Sequence, residues 1–354
     1  MNRWTGELSV GYWRVRRYLN DHRVVNTPRY DALRNQFYNE LWQDTAAAMG
    51  AIIEDIGYGY SRISIGDKYT FVQGGKVQLD DHLILKIAGN KPLVYSMLTD
   101  RGYPVQPFLE YKLQSLDKAW KFIQESQTPC VVKPAAGSGA GNGITTKIRT
   151  MDQLKRASLW AGTFSRQLLI EREIAGESFR LLYLDGKLID AVRRNPPHIT
   201  GDGKSDIRTL MLRENESRLS GKPITALCPL IVDFESELHL GSIGKKLGDV
   251  LPKGESVSVK TVSNQNRSSE NETVRDIIHP SIVKTGAEIS RIFKLKLSGV
   301  DVLTPDITKP LAEVGGVLGE VNTNPGLHHH YLISEPDKVA HVAQQIIAYI
   351  LSQS

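Results

Sequence analysis

The sequence predicts an α+β fold, on three observations. Short strand-like segments outnumber helical ones through the middle of the chain. Two pairs between them, Gly74-Gly75 and Asp185-Gly186, are the residue types that close hairpins. Amphipathic helices expected over 280–293 and 337–351 lie around a last strand pair at 298–303 and 316–321. The chain has 354 residues, 40% hydrophobic and 23% charged, enough for two or three packed lobes of ordinary globular composition.

Each element has a local reason. Thr27-Pro28 is an N-cap with proline in the first turn; Leu33, Phe37 and Leu41 continue a helix at four-residue spacing, and Gly50 closes it. Strands are expected at 51–56, 61–65 and 68–73, the last turning at Gly74-Gly75 into 76–80. A helix over 91–101 ends at Gly102 and Pro104, and another covers 116–127. Cys130-Val131-Val132-Lys133 reads as a buried strand broken by Pro134. Strands at 167–171 and 179–183 follow, and Asp185-Gly186 turns into 187–192. The segment 196–256 is rich in turn formers and reads as a long, mostly surface excursion, of the kind that is usually functional or mobile. The chain contains no tandem repeat and no low-complexity segment.

Composition excludes several classes. No apolar run is long enough to span a bilayer, and the first ten residues lack the apolar core of a signal peptide. Two cysteines, Cys130 and Cys228, make no disulfide framework and read as reduced core residues, so a cytoplasmic location is expected. The net charge of +5 is spread along the chain. Its densest early cluster, Arg14, Arg16 and Arg17, reads as a solvated face rather than a nucleic-acid footprint. A mild positive balance suits a polyanionic small molecule such as ATP.

Chemistry concentrates in three places. Lys133 ends an apolar strand and precedes a glycine-rich loop, Gly137-Ser138-Gly139-Ala140-Gly141-Asn142-Gly143, whose backbone N–H groups can approach phosphate oxygens. No Gly-Lys-Ser/Thr follows, so it is not a Walker A motif. In Glu320-Val321-Asn322-Thr323-Asn324-Pro325-Gly326, alternation puts Glu320 and Asn322 on one face, and with Asp301 on a neighbouring strand they could form a hard-oxygen Mg²⁺ site. Between two strands, Glu171-Arg172-Glu173-Ile174-Ala175-Gly176-Glu177 can offer backbone groups and a carboxylate to an adenine edge.

Together these residues resemble the ATP-grasp superfamily, in particular the ATP-grasp module of cyanophycin synthetase and of bifunctional glutathione synthetases. The resemblance runs from about Gly57 to His330. Gly57-Tyr58-Gly59-Tyr60-Ser61-Arg62-Ile63 is similar to the glycine-spaced segment before that fold. Ile87-Ala88-Gly89-Asn90-Lys91 is similar to its entry motif, with Asn90 in place of Asp. Arg194-Asn195-Pro196-Pro197-His198-Ile199-Thr200-Gly201-Asp202-Gly203 matches its R-x-P-x-x-V-x-G-D-G pattern, Asp276-Ile277-Ile278-His279-Pro280 its D-x-x-H-P, and Glu320 to Gly326 with His330 its E-V-N-x-x-P-G and downstream His.

The resemblance implies two α+β lobes enclosing ATP, 91–172 and 173–354, after a short N-terminal region, 1–90. It implies Lys91 and Lys133 on the ATP phosphates under the glycine loop, Glu171 at the adenine amino group, and Glu173, Ile174 and Ser178 elsewhere on the nucleotide. Asp301, Glu320 and Asn322 would hold Mg²⁺, two ions with Glu320 bridging, or Mn²⁺. Arg194 would stabilise the transferring phosphoryl group and the tetrahedral intermediate, and Arg180 would pair a substrate carboxylate. The implied reaction makes an acyl phosphate and passes the acyl group to an amine, with small carboxylate and amine substrates, amino acids or their derivatives. Neither nucleic acid nor membrane is an expected partner, and a homo-oligomer is left open. A thiol acceptor and a non-catalytic ATP-binding module are the alternatives.

Two departures stand out. Ser178 replaces the acid expected at the ribose, with Glu177 beside it, and Asn264-Gln265-Asn266-Arg267-Ser268-Ser269 replaces N-x-S-x-G-G without its glycines, which points to a different substrate. With no Mur-ligase-like half in these 354 residues, a polymerising cycle in one chain is not expected.

Overall fold

The computed structural model describes residues 9–15, 17, 18, 27–136 and 141–353. Its centre is a five-stranded antiparallel sheet in the order β13-β10-β9-β14-β15, built from Glu177–Leu184 (β9), Lys187–Arg194 (β10), Asn271–Thr273 (β13), Leu297–Thr304 (β14) and Val317–Asn322 (β15). Asp185-Gly186 closes the β9–β10 hairpin, with both residues at positive φ as such a turn requires. Along β9 the side chains alternate. Phe179, Leu181 and Tyr183 enter a core with helix α8 (Pro280–Ile292) and helices α2 (His82–Ala88) and α3 (Lys91–Thr99).

Leu182 and Leu184 face the other way, into a second core with helices α1 (Thr27–Met49) and α9 (Val342–Gln353). A four-stranded meander, β1 (Ile52–Gly57), β2 (Tyr60–Ile65), β3 (Lys68–Gln73) and β4 (Lys76–Val77), completes that layer. On this face β9 changes character: Leu182 and Leu184 are apolar, Ser178 and Arg180 polar.

A separate four-stranded sheet, order β5-β8-β6-β7, uses Phe108–Tyr111 (β5), Cys130–Pro134 (β6), Thr145–Ile148 (β7) and Leu168–Arg172 (β8). Helices α4 (Leu116–Gln124) and α5 (Met151–Gly162) cover it, and Cys130, Val132, Leu168 and Ile170 fill the core between. The architecture is α+β, with antiparallel sheets covered by helices.

Several expectations need correction. The 196–256 segment is not mostly surface: β11 (His198–Thr200), α6 (Ile207–Ser220), α7 (Phe234–Ser242) and β12 (Ser256–Ser258) enclose a core of Ile199, Ile207, Met211, Leu230, Leu240, Leu251 and Val259. Arg17 is not merely solvated: it donates to Thr163 Oγ1 (3.0 Å) and its guanidinium sits 4.1 Å over the Phe164 ring, because an arginine stem packs on apolar surface. The last helix begins only at Val342, since Pro336–Lys338 forms a separate 3₁₀ turn. Cys130 is buried and Cys228 half-buried, with its thiol donating to Asn264 O, and both are free. No helix among the described residues is long and apolar enough to cross a membrane.

Candidate active site

Strand register decides which side chains meet. Arg180 pairs with Asp301 across β9–β14, and Ser178 with Arg194 across β9–β10, so all four share the polar face. Between β14 and β15 the register shifts: Val302 opposes Leu318, whereas Val300 opposes Val321. Gly319 and Glu320 therefore lie together opposite Asp301. That extra residue lets Leu318 stay in the core while Glu320 turns to the polar face, beside Asn322 opposite Gly299.

On this face one carboxylate meets two guanidiniums. Arg180 takes both oxygens of Asp301, its Nη2 lying 2.9 Å from Oδ2. Arg194 Nη2 adds a third bond to Oδ2 at 2.9 Å and also donates to Ser178 Oγ at 3.0 Å. All three charged groups are buried. Burial alone would raise Asp301, yet Arg180 and Arg194 outweigh it and hold its carboxyl below the ordinary value. Arg194 is pulled down to about 10 by burial and by the neighbouring Arg180. The trio carries a surplus positive charge that suits an anionic substrate.

The opposing cations come from helix α3 and from the second sheet. Asn90 caps α3, accepting from Leu93 N as the expected Asp would, and so fixes Lys91 in its first turn. Lys91 reaches Glu320 on β15 at 3.1 Å, and its backbone N donates to Ala135 O, just after β6, at 3.3 Å. Lys133, on β6, is buried and bonds Glu171 Oε1 (2.8 Å) and Tyr95 Oη (2.9 Å). Gln106 Nε2 closes this network with bonds to Tyr95 Oη (2.7 Å) and Glu171 Oε2 (2.9 Å). Glu173 pairs with Lys147, and Ile174 follows where β8 has ended.

Gly137, Ser138 and Gly139 lie outside the described residues. Gly141 and Gly143 have φ of +66° and +81°, and a Cβ on Gly141 would come within 2.7 Å of Asn264 Cγ. The glycine loop thus leads directly onto the segment whose sequence departs from the expected motif. That segment is tightly held: Arg218 donates to Gln265 O (2.9 Å), and Asn266 Nδ2 to Asn271 Oδ1 (2.7 Å).

The turn after β15 folds back over the same face, where a Cβ on Gly299 would meet both Arg180 and Pro325. His330 bonds Asp190 at 2.7 Å, both buried, and His328 meets Tyr38 Oη at 3.1 Å. Burial, then Arg180 and Arg34, push His328 down to about 3, and burial with His328 and Arg194 pushes His329 well down.

Asp301, Glu320 and Asn322 offer only oxygen donors on one face, a set that fits a hard divalent cation. Asn322 Nδ2 is turned to Gly299 O (3.3 Å), which leaves its Oδ1 for a cation. Among the described residues no three or more His, Cys, Asp or Glu converge as a metal cluster, so the set is two carboxylates and an amide. Both Asp301 oxygens already hold guanidiniums, so a cation there must share or displace them. Sequence reasoning missed Tyr95 and Gln106. Tyr95 stands four residues after Lys91, a spacing that puts both on one helix face; Gln106 carried no comparable signal.

No family model matches the chain. It is 32% identical over 261 residues to a cyanophycin synthetase of Crocosphaera subtropica, covering 72% of this chain and 29% of that protein. To a glutathione biosynthesis bifunctional protein of Streptococcus mutans it is 28% identical over 281 residues, covering 77% and 37%. The chain thus spans about a third of the length of these relatives. The crystal structure of a bifunctional glutathione synthetase from Pasteurella multocida superposes with a TM-score of 0.54 at 20% identity, over 86% of this chain and 42% of that one. The chain resembles these enzymes, and it shares their fold.

Proposed function

We propose that this chain is an ATP-dependent ligase that joins an amino-acid-type carboxylate to an amine through an acyl phosphate, releasing ADP and phosphate. The observation that carries this reading is the facing of two sets of charges. Arg180, Arg194, Asp301, Glu320 and Asn322 share one sheet face, with Lys91 of α3 on Glu320 and Lys133 on the second sheet. The relatives' names, cyanophycin synthetase and glutathione biosynthesis bifunctional protein, support amino acids or their derivatives as substrates.

In this reading ATP lies between the lobes 91–172 and 173–354. Lys91 and Lys133 neutralise its phosphates, and 137–143 covers them. Arg180 fixes the substrate carboxylate in the bidentate manner of a guanidinium. Arg194 stands where charge grows on the transferring phosphoryl group and on the later tetrahedral adduct. Asp301, Glu320 and Asn322 would hold Mg²⁺, which when bound would neutralise phosphate charge. The glycine loop, packed at Gly141 against Asn264, would help keep water from the acyl phosphate.

The test is an ADP-release screen with ATP, Mg²⁺ and pairs of amino acids, followed by mass spectrometry. The expected result is ADP in step with a product one water lighter than its two substrates. ATP binding with no turnover for any pair would overturn the ligase reading, and a product formed only with thiols would reassign the acceptor.

A further inference from the structure

Arg218, on α6, is only 2% exposed, yet it belongs to neither set of charges described above. For stability alone, an apolar side chain of similar volume often serves as well as a buried ion pair. What an arginine adds is a rigid fork of donors in fixed directions. Here Nε donates to Glu214 Oε1 (2.9 Å), and Nη1 donates to both Cys228 O (3.0 Å) and Gln265 O (2.9 Å). One side chain thus ties two separate stretches of backbone to the helix. Glu214 takes Arg267 Nη1 on its other oxygen at 3.0 Å, so the same carboxylate holds a second point of the 264–269 segment.

The remaining ties of that segment come from the same part of the chain. Cys228 Sγ donates to Asn264 O, Ile231 N to Gln265 Oε1 (2.8 Å), and Ser268 N to Thr225 O (2.8 Å). Its opposite side meets the site. Asn266 Nδ2 donates to the carbonyl of Asn195, the residue after Arg194, at 3.1 Å, and the Asn264 side chain packs against Gly141. The segment therefore takes its position from α6 and 225–231 and presents it to Arg194's neighbour and to the glycine loop. It contains no glycine, so it has little freedom to absorb a shift of the Arg218 fork by turning its own backbone.

We propose that Arg218 is a positioning residue for the acceptor amine. Through Gln265 O and the Glu214–Arg267 pair it fixes the edge made by Asn264 and Asn266, and so sets which amine reaches the acyl phosphate. The inference rests on the ligase reading above. Arg218 acts only through 264–269, because its hydrogen-bond partners among the described residues are Glu214, Cys228 and Gln265.

Hydroxylamine separates the two half-reactions: it is small enough to attack an acyl phosphate without a fitted acceptor pocket, giving a hydroxamate and phosphate. The full chain, as wild type and as Arg218→Lys, is assayed with ATP, Mg²⁺ and amino-acid carboxylates, for hydroxamate and for amide formation with the common amino acids as acceptors. Lysine keeps the charge beside Glu214 but not the fork. Hydroxamate formation and KM for ATP should stay within about twofold of wild type while KM for the acceptor rises roughly tenfold, the scale of one or two net hydrogen bonds. The ranking of acceptors should change as well. Hydroxamate and amide formation falling together, or an unchanged acceptor KM and ranking, would overturn the proposal and leave Arg218 as a support for the fold. Glu214→Gln, at a side chain 14% exposed, loosens the same clamp and should move the acceptor KM in the same direction; no change there would overturn the proposal even if Arg218→Lys fails to fold. Wild type giving no hydroxamate would overturn the ligase reading, and hydroxamate without any amide would overturn its amine side, and this inference with either.

Discussion

Asp301→Asn and Glu320→Gln separate charge pairing from metal binding, because the two carboxylates sit in different surroundings. Asp301 is buried, and its charge balances Arg180 and Arg194 through three hydrogen bonds. Asparagine there leaves two buried guanidiniums facing a neutral amide. Removing one partner from a buried ionic group costs about 3–5 kcal/mol. The Glu320 side chain is 35% exposed, and its ion-pair partner among the described residues, Lys91, is buried, so its loss should cost less than that of Asp301 but more than the ~1 kcal/mol of a fully exposed pair. Both substitutions remove a negative oxygen ligand from the proposed Mg²⁺ site and should abolish ADP release. Urea unfolding of both variants alongside the ADP assay checks the two effects separately. Wild-type turnover in Glu320→Gln at ordinary Mg²⁺ would refute the metal assignment. A wild-type unfolding midpoint in Asp301→Asn would show that the arginine pair does not depend on this carboxylate.

Other outcomes follow from the same geometry. Lys133→Ala should weaken ATP binding by roughly 1.5–3 kcal/mol, the range for a hydrogen bond to a charged group, and an unchanged calorimetric affinity would contradict its place at the phosphates. Gly141→Val places a branched side chain at positive φ against Asn264, so it should raise KM for ATP and lower the unfolding midpoint; unchanged kinetics would remove this loop from the site. His328 is held neutral with its pKa near 3, so between its ordinary value and 3 the unfolded chain binds the extra proton. Its contribution is therefore complete above about pH 6.5 and falls with acid by at most about 1.4 kcal/mol per pH unit. Urea midpoints between pH 7 and 5 should fall less steeply in His328→Gln than in wild type. Finally, since Ser268 and Ser269 replace a glycine pair, ATP, aspartate, arginine and a cyanophycin-like primer should give no ladder of products in mass spectrometry, and a growing ladder would contradict the altered acceptor pocket.

Legibility in the sequence followed the range of the interactions. The first helix and the meander could be read because their signals are local: Thr27-Pro28, four-residue apolar spacing, and Gly74-Gly75. The same local signals mark helix α5, where Thr150 and Gln153 form a capping box around its start. In α6 the apolar positions Ile207, Leu210 and Met211 crowd the first turns and polar residues follow, so no sustained helical period marks it out. The Asp301, Glu320 and Asn322 grouping was visible from alternation. The bulge at Gly319 that aims Glu320, and the two arginines that occupy Asp301, were not, because both depend on pairing between distant strands. Gln106 is the extreme case, since its surroundings are set by a bridge from Val105 to Leu318.

The excursion after β10 gains its meaning from where it begins and what it touches. It leaves the central sheet just after Arg194, crosses to the second sheet, and sets α7 against β7. Thr146 donates to Glu235 at 3.1 Å, Arg156 lies 3.7 Å over Phe234, and Leu238 packs on the core beneath α5. Lys260, buried, holds Asp233 at 2.6 Å and Glu235 at 3.5 Å, which ties the returning chain to the start of α7. From there the chain passes Asn264, beside Gly141, and rejoins the sheet at β13. One continuous segment therefore links the strand that carries Arg194 to the strand that follows the glycine loop. Motion of the loop lobe relative to the arginine face must strain or carry this segment. Closure over ATP and exclusion of water from the acyl phosphate would then be one movement, with the unusual 264–269 residues at its edge deciding which amine can enter.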